Sequence, residues 1–382
     1  MTAVRHWDIF CKVIDNYGDV GVCWRLAADL AARAQKVRLW CDDVSALQWL
    51  APESTSPRVA GPEVVLWNDE SPASAPGDVV IEAFGCDPPP DFVQSMARRT
   101  SPPIWINLEY LSAEPWVERC HGLPSPQSTG PGAGLTKWFF YPGFTQATGG
   151  LLRETGLIDQ RAAFDRGPWL QAHDIALQDG ERLAVLFCYI NPALPTLLQM
   201  LAEQPTLLAL TPGPAQEQVH GLPLPNGVRT VDLPWLPQTD FDRLLWSADL
   251  NLVRGEDSLV RAIWAGQPFL WQLYPQTDGA HWVKSAAFLD RLLGRRTGPG
   301  AAPEPWASRL QELWNLWNGA PAPEGMSNVV KSILGWPDLK AWTEAVQTLR
   351  SQLMNQPDLT TQLMQFVAQH QPPTPQLQAP SG

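Results

Sequence analysis

Residues 7–25, Trp7-Asp8-Ile9-Phe10-Cys11-Lys12-Val13-Ile14-Asp15-Asn16-Tyr17-Gly18-Asp19-Val20-Gly21-Val22-Cys23-Trp24-Arg25, decide how this chain is read. Residues 7–14 have the make-up of a short buried strand, and from residue 22 to 34 apolar side chains recur at helical spacing. A strand, a turn carrying Gly18 and Gly21, and a helix form the first unit of a nucleotide-binding sheet, whose ligand edge lies at the carboxyl ends of the strands. Two aspartates, Asp15 and Asp19, stand in that turn, where a phosphate cradle would have none. What they do there is the central question of the sequence.

Strand-like runs continue at Lys36–Cys41 and at residues 63–67, 78–84 and 103–108, each bounded by Pro, Gly or polar clusters. Strands alternating with helical stretches imply an α/β fold with a parallel sheet covered on both faces. Residues 143–180 loosen into turns and a charged, less periodic stretch. The alternation then restarts at residues 183–189, Thr206–Leu210, and residues 228–233, 249–253 and 268–273. The expected organisation is therefore two Rossmann-like, doubly wound domains, residues 1–160 and 182–337, joined through residues 161–181. Residues 338–370 read as a helical segment, and residues 371–382 (PPTPQLQAPSG preceded by Gln371) as a disordered tail.

Composition narrows the function. With 382 residues and 45% apolar content, a two-domain globular protein is the expected form. A formal charge of −12 argues against nucleic acid or an anionic membrane as partner. Six scattered cysteines without a CxxC pair suit buried thiols in a reducing compartment, and six histidines without HExxH spacing give no zinc signature. The N-terminus lacks a signal-peptide pattern and no apolar run reaches membrane-spanning length, so a cytoplasmic protein is expected.

Three constellations carry candidate chemistry. In the opening turn, Asp15 and Asp19 can cap the following helix, or they can orient a cation and accept a proton. Asp42 and Asp43 end the second strand about twenty residues on, which keeps a nicotinamide-dependent oxidoreductase open as an alternative, although the glycine spacing is not GxGxxG. In LVRGEDSLVRA (residues 252–262), a strand ends at Arg254, Gly255 turns, and Glu256, Asp257 and Ser258 open a helix whose free N–H groups suit an anion. Ser258 adds a donor for a phosphate oxygen, and Glu256 can accept hydrogen bonds from sugar hydroxyls. In DLPWLPQTDF (residues 232–241), two prolines stiffen a loop and present Trp235 as a stacking face for a base, with Gln238 beside it. Tyr189 can bond a ribose or phosphate, or close the core. No convincing DxD motif of the kind that holds a divalent ion against a nucleotide-sugar diphosphate is found.

The blocks WDIFCKVIDNYGDVGVCWRLA and PWLPQTDFDRLLWSADLNLVRGEDSLVRAIWAGQPFLWQLYPQTDGAH resemble the bacterial protein-arginine rhamnosyltransferases of elongation factor P. The resemblance covers nearly the whole chain. It implies a GT-B glycosyltransferase with two Rossmann-like domains facing a central cleft, the first for the acceptor and the second for the nucleotide sugar. The C-terminal helical segment would return to the N-terminal domain. It also implies an inverting, metal-free transfer of rhamnose from dTDP-β-L-rhamnose to an arginine of elongation factor P, which activates that factor for rescue of polyproline-stalled ribosomes. By motif, Asp19 and Asp15 fall on the family's essential aspartates, with Glu256 joining the candidate catalytic set. Tyr17, Gly18, Tyr189, Trp235, Gln238, Arg254, Gly255, Glu256, Asp257 and Ser258 fall on donor-binding positions, Trp235 standing where the family has phenylalanine. A non-catalytic protein that binds the nucleotide sugar or the translation factor is the remaining alternative.

Overall fold

The computed structural model describes residues 4–13, 17–52, 61–68, 74–294, 304–319 and 338–370. Asp15 and the tail expected at residues 371–382 lie outside the described residues.

The first sheet contains β1 (His6–Cys11), β2 (Lys36–Cys41), β3 (Glu63–Leu66), β4 (Val79–Ala83), β5 (Ile104–Leu108), β6 (Pro124–Pro126) and β7 (Thr136–Phe140), in the order β3-β2-β1-β4-β5-β7-β6. Its pairs are parallel except β6 with β7. The second sheet contains β8 (Arg182–Leu186), β9 (Thr206–Leu210), β10 (Val228–Asp232), β11 (Leu250–Arg254) and β12 (Phe269–Gln272), in the order β10-β9-β8-β11-β12 and parallel throughout. Strands β4, β5, β8, β9, β11 and β12 are buried along their whole length. Helices cover both faces, which explains the near-continuous apolar runs in the sequence. In each sheet the strand order reverses beside the first strand, between β1 and β4 and between β8 and β11. A crevice forms at the carboxyl ends there.

Three expectations need correction. The first helix runs Gly18–Ala32 and not from residue 22, so Asp19 belongs to its first turn and not to a loop. Two glycines of low helical propensity obscured that start, while an aspartate beside the positive end of the helix dipole favours it. The connection at residues 161–181 opens in helix before its turns: Leu157–Ala163 and Arg166–Ala172 pack through Leu157, Trp169 and Leu170 on the second core. The C-terminal segment at residues 338–370 was expected to return to the first domain as a unit, and it divides. Helix Leu339–Met354 buries Trp342, Val346, Leu349 and Leu353 in the second core, and helix Leu359–Gln369 buries Leu359, Leu363 and Val367 in the first. Amphipathic spacing marks a buried stripe but not which core will cover it.

A buried ionic network joins the domains. Arg25, on the Gly18–Ala32 helix, reaches Glu154 Oε1 at 3.0 Å, Asp242 Oδ1 at 3.2 Å and Asp257 Oδ2 at 3.2 Å. Arg261, on helix Gly255–Ala265, holds Glu154 Oε2 at 2.6 Å and Asp242 Oδ2 at 2.7 Å. Burial works against the Arg25 charge, but Asp242, Asp257 and Glu154 outweigh it and hold the guanidinium protonated. Burial likewise works against the Glu154 carboxylate, and Arg261 and Arg25 pull it down to about 2.

Two predictions follow from these contacts. Arg261→Met leaves three carboxylates to share one guanidinium and should cost about 3 kcal/mol, read as a lowered urea midpoint. An unchanged midpoint would show the network to be energetically idle. Because the folded value for Glu154 lies below its ordinary 4.5, its contribution is complete above that pH and is lost as pH falls toward about 2. Tm of Glu154→Gln should therefore decline less steeply than the parent over that acidic window, and parallel curves would contradict the assignment.

Candidate active site

Between the domains lie two adjoining cavities that share Gly18, Tyr189, Gly255, Glu256 and Asp257 as walls. The first spans about 810 Å³ and the second about 1100 Å³, open solvent at their mouths included.

The floor of the first cavity is the amino end of helix Gly255–Ala265. Arg254 occupies the N-cap position without a side-chain cap, so the first-turn N–H groups face the cavity wall formed by Gly255, Glu256, Asp257 and Ser258. Gly255 has φ +71°, a conformation closed to most side chains, and a Cβ there would also come 3.6 Å from Tyr189 Oη. The buried Arg254 guanidinium lies 4.6 Å from the Phe187 ring centroid and 4.4 Å from that of Tyr189. A fixed cation beside a helix N-terminus is a site for a diphosphate. At the mouth, Trp235 is 43% exposed and meets Trp49 at 4.3 Å and Tyr17 at 5.4 Å between centroids. This aromatic cluster spans the cleft and suits a nucleobase.

The second cavity is lined by Asp19, Phe84, Tyr110, Tyr274, His281 and Lys284, among others. Asp19 is 5% exposed, held by the first helical turn. Glu256 is positioned from two sides: Oε2 accepts from the Leu111 N–H at 2.7 Å, and Oε1 pairs with the Lys284 ammonium. Both Asp19 and Glu256 therefore line the second cavity.

Other candidates are placed differently from expectation. Asp257 lines both cavities, yet its Oδ2 accepts from Arg25 Nε, so part of its capacity serves the domain interface. Burial pushes its carboxyl up, against the pull of Arg25 and Arg261. The Gln238 amide donates to Gly21 O at 3.0 Å across the cleft, and a Cβ at Gly21 would lie 3.1 Å from that amide nitrogen. Gly21 was expected to bend a turn; it instead permits close approach of the two domains. Asp42 accepts from Val13 N and Asp43 from Ser45 N, so both serve local backbone. Neither lines the two cavities, which removes the basis of the nicotinamide reading. Asp15 lies outside the described residues. Sequence reasoning missed Arg25, Trp49, Phe187, Tyr110 and Lys284. Trp49 is one of nineteen tryptophans, and nothing local distinguishes it from a packing residue.

Two Rossmann-type domains facing a cleft, with an anion-binding helix end on one wall and a carboxylate on the other, define a GT-B glycosyltransferase. Residues 7–368 match the model of a family described as Elongation-Factor P (EF-P) rhamnosyltransferase EarP, and the chain belongs to that family. It is 41% identical to the protein-arginine rhamnosyltransferase of Pseudomonas aeruginosa, over 95% of this chain and 98% of that one. To the protein of the same name in Pseudomonas putida it is 43% identical, over 94% and 98%. A solved structure described as the basis for EarP-mediated arginine glycosylation of translation elongation factor EF-P superimposes with a TM-score of 0.61 at 30% identity, covering 96% of this chain and 99% of that one.

Arg254→Met removes one of the two arginines that line the first cavity while keeping much of its bulk. Titration calorimetry with dTDP should show roughly tenfold to hundredfold weaker binding, the range for losing a charge-assisted contact. Parental affinity in the variant would place the diphosphate elsewhere.

Proposed function

We propose that this protein transfers L-rhamnose from dTDP-β-L-rhamnose to an arginine side chain of elongation factor P, with inversion at the anomeric carbon. The observation that supports the reading is the wall shared by the two cavities, with Arg254 and Ser258 lining the first and the buried carboxylate of Asp19 lining the second. The diphosphate rests on the first turn of helix Gly255–Ala265 beside Arg254, with Ser258 donating to a phosphate oxygen. Thymine lies against Trp235 and its aromatic neighbours. The sugar then sits near Tyr189 and Glu256, at the junction of the cavities.

The acceptor guanidinium enters through the second cavity. Arginine is a weak nucleophile because its lone pairs are delocalised and it stays protonated up to at least about pH 12. Asp19, fixed by the helix, draws the proton from the attacking nitrogen as the N–C1 bond forms. Asp15 orients the guanidinium. The C1–O bond to the β-phosphate breaks on the opposite face, dTDP departs with the bonding pair, and the proton remains on Asp19. Departing charge is met by the helix N-terminus and Arg254, a role that needs no divalent ion. An acceptor that works on the ribosome places the reaction in the cytoplasm, and rhamnosylation would ready it to relieve polyproline stalling.

Intact-mass analysis of elongation factor P after incubation with this protein and dTDP-β-L-rhamnose should show the gain of one deoxyhexose on arginine. Asp19→Asn should retain dTDP-rhamnose binding in calorimetry and lose transfer by a factor on the order of 10² to 10⁴, the usual worth of a positioned base. Donor binding without any mass gain by the parental protein would favour the non-catalytic reading.

A further inference from the structure

The second cavity contains an aromatic surface that no element of this mechanism uses. Phe84 follows β4 with φ +58°, a left-handed conformation that a bulky residue seldom takes and that marks functional strain. Its N–H donates to Leu108 O at 2.8 Å, closing the ladder between β4 and β5. Its ring stacks on Tyr110, with centroids 4.7 Å apart and planes 21° from parallel. Both rings line the cavity that Asp19 and Glu256 line, and Tyr110 remains 40% exposed. The Lys284 ammonium lies 5.7 Å from the Tyr110 ring centroid while it pairs with Glu256. A cation is thus already stable in this cavity between a carboxylate and an aromatic face.

We infer that Tyr110, backed by Phe84, is the face on which the acceptor guanidinium lies during transfer. The inference rests on the proposed arginine acceptor. A guanidinium is planar and weakly hydrated, so it stacks on an aromatic ring where an ammonium prefers water. Stacking leaves the edge nitrogens in the plane, free to hydrogen-bond carboxylates. Strain at Phe84 is then the cost of presenting the stacked pair to the cavity while Phe84 stays packed against the first core. Tyr110 is a positioning and specificity residue, selecting a flat cation over lysine.

The test compares Tyr110→Leu, which keeps apolar contact with Phe84, with Tyr110→Phe, which keeps the π face. Steady-state transfer to elongation factor P should show KM for the acceptor raised about tenfold in Tyr110→Leu with kcat little changed, as loss of a partly desolvated cation–π contact implies. Tyr110→Phe should retain the parental KM, and both variants should bind dTDP-rhamnose in calorimetry as the parent does. Equal KM values in Tyr110→Leu and the parent would overturn the inference, as would an equal rise in both variants. If Tyr110→Leu folds poorly, Phe84→Leu takes its place: removing the backing ring should raise KM by a smaller factor, and an unchanged KM there overturns the inference too. Transfer by the parent with unaltered variants refutes the aromatic face alone, whereas no transfer by the parent refutes both readings.

Discussion

Two arginines buried between the domains, Arg25 and Arg261, set the terms for the rest of the structure. Each is taken out of water at a cost that only well-placed carboxylates can offset. Asp242 and Asp257 supply that compensation from the second domain and Glu154 from the end of the first, which also contributes Arg25. The helix carrying Asp19 is thereby fixed against the helix carrying Glu256, Asp257 and Ser258. Gly21 allows the approach, because any side chain there would press on the Gln238 amide. The width of the cleft is a consequence of these contacts.

Within that cleft the charges are divided. On one side are a helix N-terminus and Arg254, whose guanidinium is held by the faces of Phe187 and Tyr189. On the other are Asp19, Glu256 and the rings of Phe84 and Tyr110. In the proposed reaction a dianionic leaving group and a cationic acceptor would each meet a wall of opposite sign. The formal charge of −12 on the whole chain says little about this, because local placement and not the sum decides what each wall attracts.

Much of the fold was legible because parallel strands buried on both faces leave an unmistakable apolar run. Lys36–Cys41 and Thr206–Leu210 match their expected limits, and the other sequence-assigned strands lie within one residue of theirs, except the first and the one expected at residues 183–189, which ends at Leu186. The first strand stops at Cys11, three residues before the expected end. Strands β6 and β7 escaped notice: Pro124–Pro126 carries two prolines, tolerated at a sheet edge, and Thr136–Phe140 is mostly half-buried. The candidate site was legible where a motif forces backbone shape, as Arg254 to Ser258 do. It was illegible where a common residue gains its role from a partner far along the chain. Lys284 meets Glu256, Trp49 meets Trp235, and Arg25 meets Asp257 more than two hundred residues away.

By itself the sequence determined the two alternating βα halves, the glycine turn ahead of an anion-binding helix, and the acidic residues at the mouth of the first unit. Each depends on a local rule: side-chain periodicity, the conformational freedom of glycine, or the charge preference of a helix end. Only the tertiary structure decided that Asp257 and Gln238 divide their bonding between cleft and domain interface, and that the two C-terminal helices part company between the cores. Those outcomes turn on which surfaces meet, and periodicity along one chain segment has no term for the segment it will face.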